Sequence, residues 1–187
     1  MRNNTKIRIL GISGSLKLSS SNSALTRALG GLMPDGVEYT VYNSLGLLPH
    51  FSPDIDGDNS PAVVTEFRKM LVASDGIIIC TPEYAFNLPG VLKNALDWTV
   101  STGEFYEKPT AVISASPLPT GGGKAHLSLM MTMTAMQASV PEKAKLMIAS
   151  INKKMQGDVI TDNNTGEELK TVINELVALI QSKQNLL

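Results

Sequence analysis

Five short runs rich in β-branched and other apolar residues, at 6–12, 37–42, 76–81, 110–114 and 146–149, alternate along this chain with stretches whose apolar residues recur at helical spacing. That alternation confines the chain to strand–helix–strand units around a parallel sheet. The helical stretches are marked by Leu25, Ala28, Leu29 and Leu32 behind the polar run 20–23, and by Val63, Val64, Phe67, Met70 and Leu71 behind Ser60-Pro61, read as cap and first-turn proline. Pro89-Gly90 opens a third, with Val91, Leu92, Ala95, Leu96 and Trp98, and Gly121-Gly122-Gly123 precedes a methionine-rich fourth. Thr165 and Glu168 form a capping box for a fifth carrying Leu169, Val172, Ile173, Leu176, Val177 and Ile180. The run 76–81 has no polar alternation, so it is expected at the sheet centre, buried on both faces. The stretch 46–61, broken by Pro, Gly and Asp, is expected to be a long surface loop.

Length and topology then narrow the architecture. The 187 residues suit one domain spanning 1–187. The expectation is a three-layer α/β sandwich with a five-stranded parallel sheet of order 2-1-3-4-5, whose ligand site lies beyond the carboxyl ends of strands one, three and four. Sixteen basic against 17 acidic residues, a net charge of −1, leave no basic stripe for nucleic acid. No apolar run reaches bilayer-spanning length. The single Cys80 excludes an intramolecular disulfide, and residues 1–6 lack the apolar core of a secretion signal, so the expected address is the cytoplasm.

Three unusual loops fall at that rim. The first, 13–22, carries Ser13, Gly14, Ser15, Leu16, Lys17, Ser20, Ser21 and Asn22 ahead of a helix. Hydroxyls, free N–H groups and the helix dipole suit a phosphate there; a plain serine-rich loop with a redundant cap is the alternative. Neither Gly-x-x-x-x-Gly-Lys-[Ser/Thr] nor Gly-x-Gly-x-x-Gly is satisfied, so an ATP or dinucleotide loop is not indicated. The second, 81–90, contains Pro82, Glu83, Tyr84, Ala85 and Phe86. Its aromatics either offer a flat platform for a planar ring or plug the sheet end. In the third, 115–123, Ser116 and the glycines 121–123 either approach a ligand closely or form a flexible connection. Together the loops describe a site for a phosphate at one end and a flat heterocycle at the other, as in a mononucleotide-like cofactor.

The residues also resemble a known family. Gly14-Ser15-Leu16-Lys17-x-x-Ser20-x-Asn22 is similar to the phosphate loop of the NADPH-dependent FMN reductase family, and Pro82-Glu83-Tyr84-x-x-x-x-Pro89-Gly90-x-Leu92-Lys93-Asn94-Ala95-x-Asp97-Trp98 to its signature, with the likeness extending over about residues 6–150. The resemblance implies a flavodoxin-like fold, FMN as cofactor, NADPH or NADH as co-substrate, a small acceptor such as a quinone, free flavin, azo dye or metal oxyanion, and a homodimer or homotetramer. Carried over by position, it implies Ser15, Lys17, Ser20 and Asn22 at the phosphate, with Ser13, Leu16 and Ser21 in the same loop. Pro82, Glu83, Tyr84, Ala85 and Phe86 would lie at the ring, and Ser116, Gly121 and Gly122 on its other side. Two departures stand out: Lys17 where the family has arginine, and Ala85 where it has asparagine. The first keeps the charge but not the bidentate fork.

Such chemistry needs no side-chain nucleophile, because hydride transfer belongs to the flavin. Backbone N–H groups at 83–85 would stabilise charge on the reduced ring, and one pocket used alternately implies ping-pong kinetics. Other catalysts are poorly served. Cys80 ends a buried strand and has no arginine six positions on, which excludes the phosphatase loop. His50 and His126 lack spaced ligands, so no metal is expected. Lys93, Asn94, Asp97 and Trp98 are interface candidates on the third helix, Trp98 equally a core residue, and the cluster Met130, Met131, Met133 and Met136 is core filling or a dimer face. A non-enzymatic electron carrier or flavin-binding regulatory module is the competing function; carriers are acidic for docking, unlike this chain.

Overall fold

The structure, a computed structural model, describes residues 6–17 and 19–185. The N-terminal segment 1–5, read above for secretion, and Leu18 of the first loop lie outside the described residues. Strands β1 (Ile7–Ser13), β2 (Val37–Tyr42), β3 (Gly76–Thr81), β4 (Thr110–Ala115) and β5 (Lys145–Ile148) make an all-parallel sheet in the expected order, β2-β1-β3-β4-β5. Helices α1 (Ser21–Ala28), α2 (Ala62–Ala73), α3 (Gly90–Asp97), α4 (Gly123–Ala135) and α5 (Asn163–Gln184) cover both faces.

The unbroken apolar run of β3 follows from that sandwiching. Ile77 and Ile79 join one core with Phe67 and Leu71 of α2, Leu92 of α3 and Leu129 of α4. Ile78 and Cys80 point the other way, into a core with Leu25 of α1 and Leu169, Ile173 and Leu176 of α5. Each such buried Leu or Ile contributes about 1.5–3 kcal/mol relative to exposure. Close fit decides small residues too: a Cβ on Gly11 would lie 2.0 Å from the hydroxyl of Tyr39, which crosses β1 to donate to the Thr26 carbonyl at 2.7 Å.

Two helix caps differ from expectation. α5 starts earlier than the Thr165–Glu168 box predicts, because Asp162 caps it, accepting from Thr165 N at 2.9 Å and Thr165 Oγ1 at 2.6 Å. Aspartate caps as well as threonine and its charge suits the helix dipole, which frees Thr165 to be buried. Ser60 does not cap α2; its Oγ accepts instead from the buried Arg68 guanidinium at 2.8 Å. A charged donor that must be satisfied in the core outbids a neutral backbone N–H.

The 46–61 stretch is not featureless. With its approach it holds three short 3-10 turns, Leu45–Leu47, Pro53–Ile55 and Gly57–Asn59. It is pinned where the Pro49 carbonyl accepts from Trp98 Nε1 at 2.8 Å and Asn94 Nδ2 at 2.9 Å, while Phe51 N donates to Asn94 Oδ1 at 2.8 Å. Trp98 is fully buried with Phe51 edge-on to it. Half-buried Asn94 and buried Trp98 thus hold this chain's own loop, and Trp98 is the core residue of its two readings; Lys93 and Asp97 pair with each other on the exposed side. Met133 is buried and Met130 and Met136 pack on that core, whereas Met131 is exposed. A two-stranded hairpin, β6 (Met155–Gln156) and β7 (Val159–Ile160), adds to the expected elements.

Candidate functional site

Because β1, β3 and β4 are neighbours and parallel, the loops that follow them leave the same rim, and direct hydrogen bonds tie them together. Gly14 N donates to Cys80 O at 2.8 Å, linking the first loop to the end of β3. A Cβ at Gly14 would come within 2.9 Å of Leu92 and 3.0 Å of Thr81 Oγ1, so only glycine permits this approach. Asn22 Nδ2 donates to Ala115 O at 2.9 Å, linking the first loop to the third. The Glu83 carboxylate accepts from Lys124 N at 2.7 Å and Ala125 N at 3.1 Å, so the second loop caps the helix that ends the third.

Within the first loop much of the serine content satisfies local backbone. Ser13 Oγ accepts from Ser15 N, Ser15 Oγ from Lys17 N, and Ser20 Oγ caps α1 through Asn22 N. Ser13 and Ser23 hydroxyls meet at 3.0 Å. Ser13, Ser15, Ser20 and Asn22 are buried, while Leu16 and Lys17 are exposed. The serine-rich-loop reading therefore accounts for part of the pattern, but not for Asn22. Only 3% exposed, it has its Oδ1 buried with no partner among the described residues. An unmet buried acceptor is destabilising by about 1–3 kcal/mol, and this one sits in the first turn of α1.

The second loop is a tight reversal. Tyr84 and Asn87 exchange N–H···O bonds at 3.0 Å each, around Ala85 at φ +48° and Phe86 at φ +61°. Both central residues are left-handed, the geometry of a type I′ turn that glycine and asparagine favour. Asn87 Oδ1 accepts from Leu88 N and from Ser128 Oγ, each at 2.7 Å, fixing the turn to α4. Tyr84 is 52% and Phe86 79% exposed, so neither plugs the sheet end. The Tyr84 N–H is used inside the turn, which removes it from the backbone donors expected at 83–85. In the third loop Ser116 is buried, its Oγ accepting from Leu118 N at 3.1 Å, and Gly121 and Gly122 are left-handed at φ +62° and +77°.

Other titratable candidates resolve differently. Burial pushes the Cys80 thiol up to about 12, only partly offset by a hydrogen bond with Thr26, so it is no nucleophile. His50 is exposed and His126 half-buried. Among the described residues no group of three His, Cys, Asp or Glu is placed to hold a metal ion, and no helix is long and apolar enough to cross a membrane.

Sequence reasoning missed one contributor, the β6–β7 hairpin. Asn152 just before it accepts from Ser21 Oγ at 2.9 Å, and Asp158 at its tip takes Arg27 by two bonds of 2.7 and 2.8 Å. The signal was present as Gly157-Asp158, a two-residue hairpin dipeptide, but its two-residue arms show no alternation to read.

A sequence model of the family described as NADPH-dependent FMN reductase matches residues 7–153. The chain belongs to the NADPH-dependent FMN reductase family. Among its relatives, a NAD(P)H-dependent FMN reductase of Pseudomonas aeruginosa is 34% identical over 160 residues, covering 83% of this chain and 86% of that protein. The quinone reductase of Escherichia coli K12 is 28% identical over 182 residues, covering 94% and 96%. Among solved structures, the flavoenzyme NAD(P)H:(acceptor) oxidoreductase FerB of Paracoccus denitrificans superposes with a TM-score of 0.84 at 27% identity, covering 94% of this chain and 98% of that one. The family match runs from β1 past β5 and includes all three loops. The β6–β7 hairpin and α5 of this FMN reductase family member lie beyond it.

Proposed function

We propose that this protein is an FMN-dependent oxidoreductase that uses NAD(P)H to reduce a small acceptor, a quinone, free flavin, azo dye or metal oxyanion, by a ping-pong mechanism. Family membership and relatives named as FMN and quinone reductases support an oxidoreductase with FMN as cofactor and NAD(P)H as co-substrate. The observation that carries the site is the interlocking of the three loops around Asn22, whose buried, unmet Oδ1 waits for a donor at the head of α1. A ribityl hydroxyl or a protonated phosphate oxygen supplies one, so the residues present fit a flavin mononucleotide.

When bound, FMN supplies hydride acceptance and donation. The chain does the rest. Ser15, Ser20 and Asn22 offer hydroxyl and amide groups beside the positive end of α1, and Lys17 adds a cation from solvent. Pro82 through Ala85 would bound the ring on one side, with the Glu83 and Ala85 N–H groups left free among the described residues to stabilise negative charge. Ser116 and the glycine turn would bound it on the other. The open Tyr84–Phe86 surface admits planar substrates one at a time, which gives ping-pong order. The exposed Tyr84 and Phe86 of the second loop, and Leu127 and Met131 four residues apart on the helix that Ser128 joins to it, suit a homodimer or homotetramer. A chain with one buried free thiol suits the cytoplasm.

The test is the purified protein's visible spectrum, followed by turnover with NADPH and a quinone. A yellow protein giving parallel double-reciprocal lines is the expected result. A yellow protein that NADPH fails to bleach would leave a flavin-binding module and exclude the enzyme. Ser20→Glu places a like charge at the phosphate position and is expected to abolish flavin retention, and because Ser20 is buried and caps α1 the neutral Ser20→Gln, which loses the same cap, should retain more flavin; unchanged flavin content in Ser20→Glu, or equal loss in both variants, would remove the phosphate assignment.

A further inference from the structure

α4 emerges from two left-handed glycines, and a turn built of glycine has no side chains of its own to keep it in place. Its own backbone bonds are Gly121 N to Leu118 O at 3.3 Å and Gly123 N to Thr120 O at 3.1 Å, and it packs on the end of β5, where a Cβ at Gly121 would lie 3.3 Å from Met147 Cβ and Ala149 N. One residue addresses both glycines. His126 N donates to Gly122 O at 2.9 Å, and the His126 ring Nδ1 lies 3.3 Å from Ser114 Oγ, which in turn is 2.8 Å from Gly121 O. Ser114 is fully buried, and its single hydroxyl proton goes to Gly121 O, so toward the imidazole it must accept. That requirement selects the His126 tautomer with hydrogen on Nδ1. Burial, and then the nearby Lys145 ammonium, lower the ring's affinity for a second proton and favour this neutral form.

The turn is held on a wall of the candidate site. A Cβ at Gly122 would lie 3.4 Å from the Cβ of Ser114 and 3.7 Å from that of Glu83, placing the turn between the end of β4 and the second loop. Glu83 fixes the next two residues, Lys124 and Ala125, by their N–H groups. The glycine turn is therefore clamped between a carboxylate from one loop and a histidine–serine relay on its own strand and helix.

We propose that His126 is a positioning residue which, through Ser114, holds the Gly121–Gly122 turn in the conformation that closes the flavin site. The proposal rests on the FMN reading above. His126 touches neither cofactor nor substrate; it sets how well the wall is preformed before either arrives.

Fluorescence titration of the refolded apoprotein with FMN tests this in wild type, His126→Ala, His126→Asn, Ser114→Ala and the Ser114→Ala/His126→Ala pair. His126→Ala removes one hydrogen bond of ordinary net strength and is expected to weaken FMN binding by about fivefold. His126→Asn, which restores an N–H near the Nδ1 position, should recover most of it. In the Ser114→Ala background the histidine has nothing to relay through, so removing it should change affinity by less than about twofold. An unchanged His126→Ala affinity, failure of asparagine to rescue, or an additive double variant would overturn the proposal. Amide exchange in the flavin-free protein gives a second readout: protection of the Gly121 and Gly123 N–H groups should fall in His126→Ala and return in His126→Asn. Should wild type bind no FMN, the functional reading fails, yet equal protection in wild type and His126→Ala would still overturn the positioning role by itself.

Discussion

At the scale of the residue, the second loop shows how a local conformation contradicts its own side chains. Ala85 and Phe86 occupy left-handed positions at φ +48° and +61°, although neither has the short polar side chain or the missing Cβ that makes this region accessible. They stay there because the flanking residues over-determine the turn, through the Tyr84–Asn87 bond pair and the grip of Asn87 on Ser128. A left-handed residue with a Cβ costs roughly 1–2 kcal/mol, and asparagine tolerates the region better. Ala85→Asn is therefore expected to stabilise the protein by about 1 kcal/mol, raising Tm by about 2–4 °C for a chain of this size. Ala85→Val should lower it. Thermal melts decide; a lower Tm for the asparagine variant would show that the turn geometry is not the source of strain. The motif was legible in the sequence, but the left-handed geometry was not, since nothing in alanine or phenylalanine announces it.

At the scale of the element, the loop between β2 and α2 reads as a long surface loop without regular structure and is in fact strapped down. Arg68 of α2 is the anchor: its guanidinium donates to Trp98 O at 2.8 Å, to Ser60 Oγ at 2.8 Å and to Asp56 Oδ1 at 2.6 Å. Asp56 is held also by Ser101 Oγ at 2.6 Å. The hydrogen bond from Ser101, then the one from Arg68, lower the Asp56 pKa below its ordinary value. A carboxylate whose folded pKa is depressed binds its proton more readily when unfolded, so its stabilising contribution is full above the ordinary Asp range, about pH 4, and fades as pH falls through the depressed value. Melting temperatures of wild type and Asp56→Asn should accordingly differ most at neutral pH and converge in acid. A gap that stays constant with pH would show that Asp56 acts only through neutral hydrogen bonding. The helix caps carry the same lesson. Ser60 and Thr165 have capping chemistry, yet Arg68 and Asp162 determine what they do, and such partners are visible only once the chain has folded.

At the scale of the whole molecule, the exposed apolar residues of the second loop and α4 are the ones that bear on the proposed oligomer. Phe86 at 79% and Met131 at 66% exposure belong, with Tyr84 and Leu127, to the second loop and to α4, which Ser128 joins to that loop. Sedimentation equilibrium should report a dimer or larger species, and Phe86→Asp or Leu127→Asp should shift it toward monomer. A wild-type monomer at micromolar concentration would remove the oligomer from the proposal. The sheet order, the five parallel strands and the presence of three special loops at one rim were all readable before folding. Hydrophobic periodicity records which faces are buried, and right-handed crossovers leave few ways to connect them. The family resemblance was likewise carried by local strings such as Pro82-Glu83-Tyr84 and Leu92-Lys93-Asn94-Ala95. What only the tertiary structure decided is the partner of each polar group: that Glu83 caps a helix 41 residues away, that Asn94 and Trp98 turn inward to Pro49, and that Asn22 bridges to Ala115 with one oxygen unmet. The physical reason is range. Burial patterns are written in neighbouring residues, whereas a hydrogen-bond partner is chosen among all the groups that folding brings within about 3 Å.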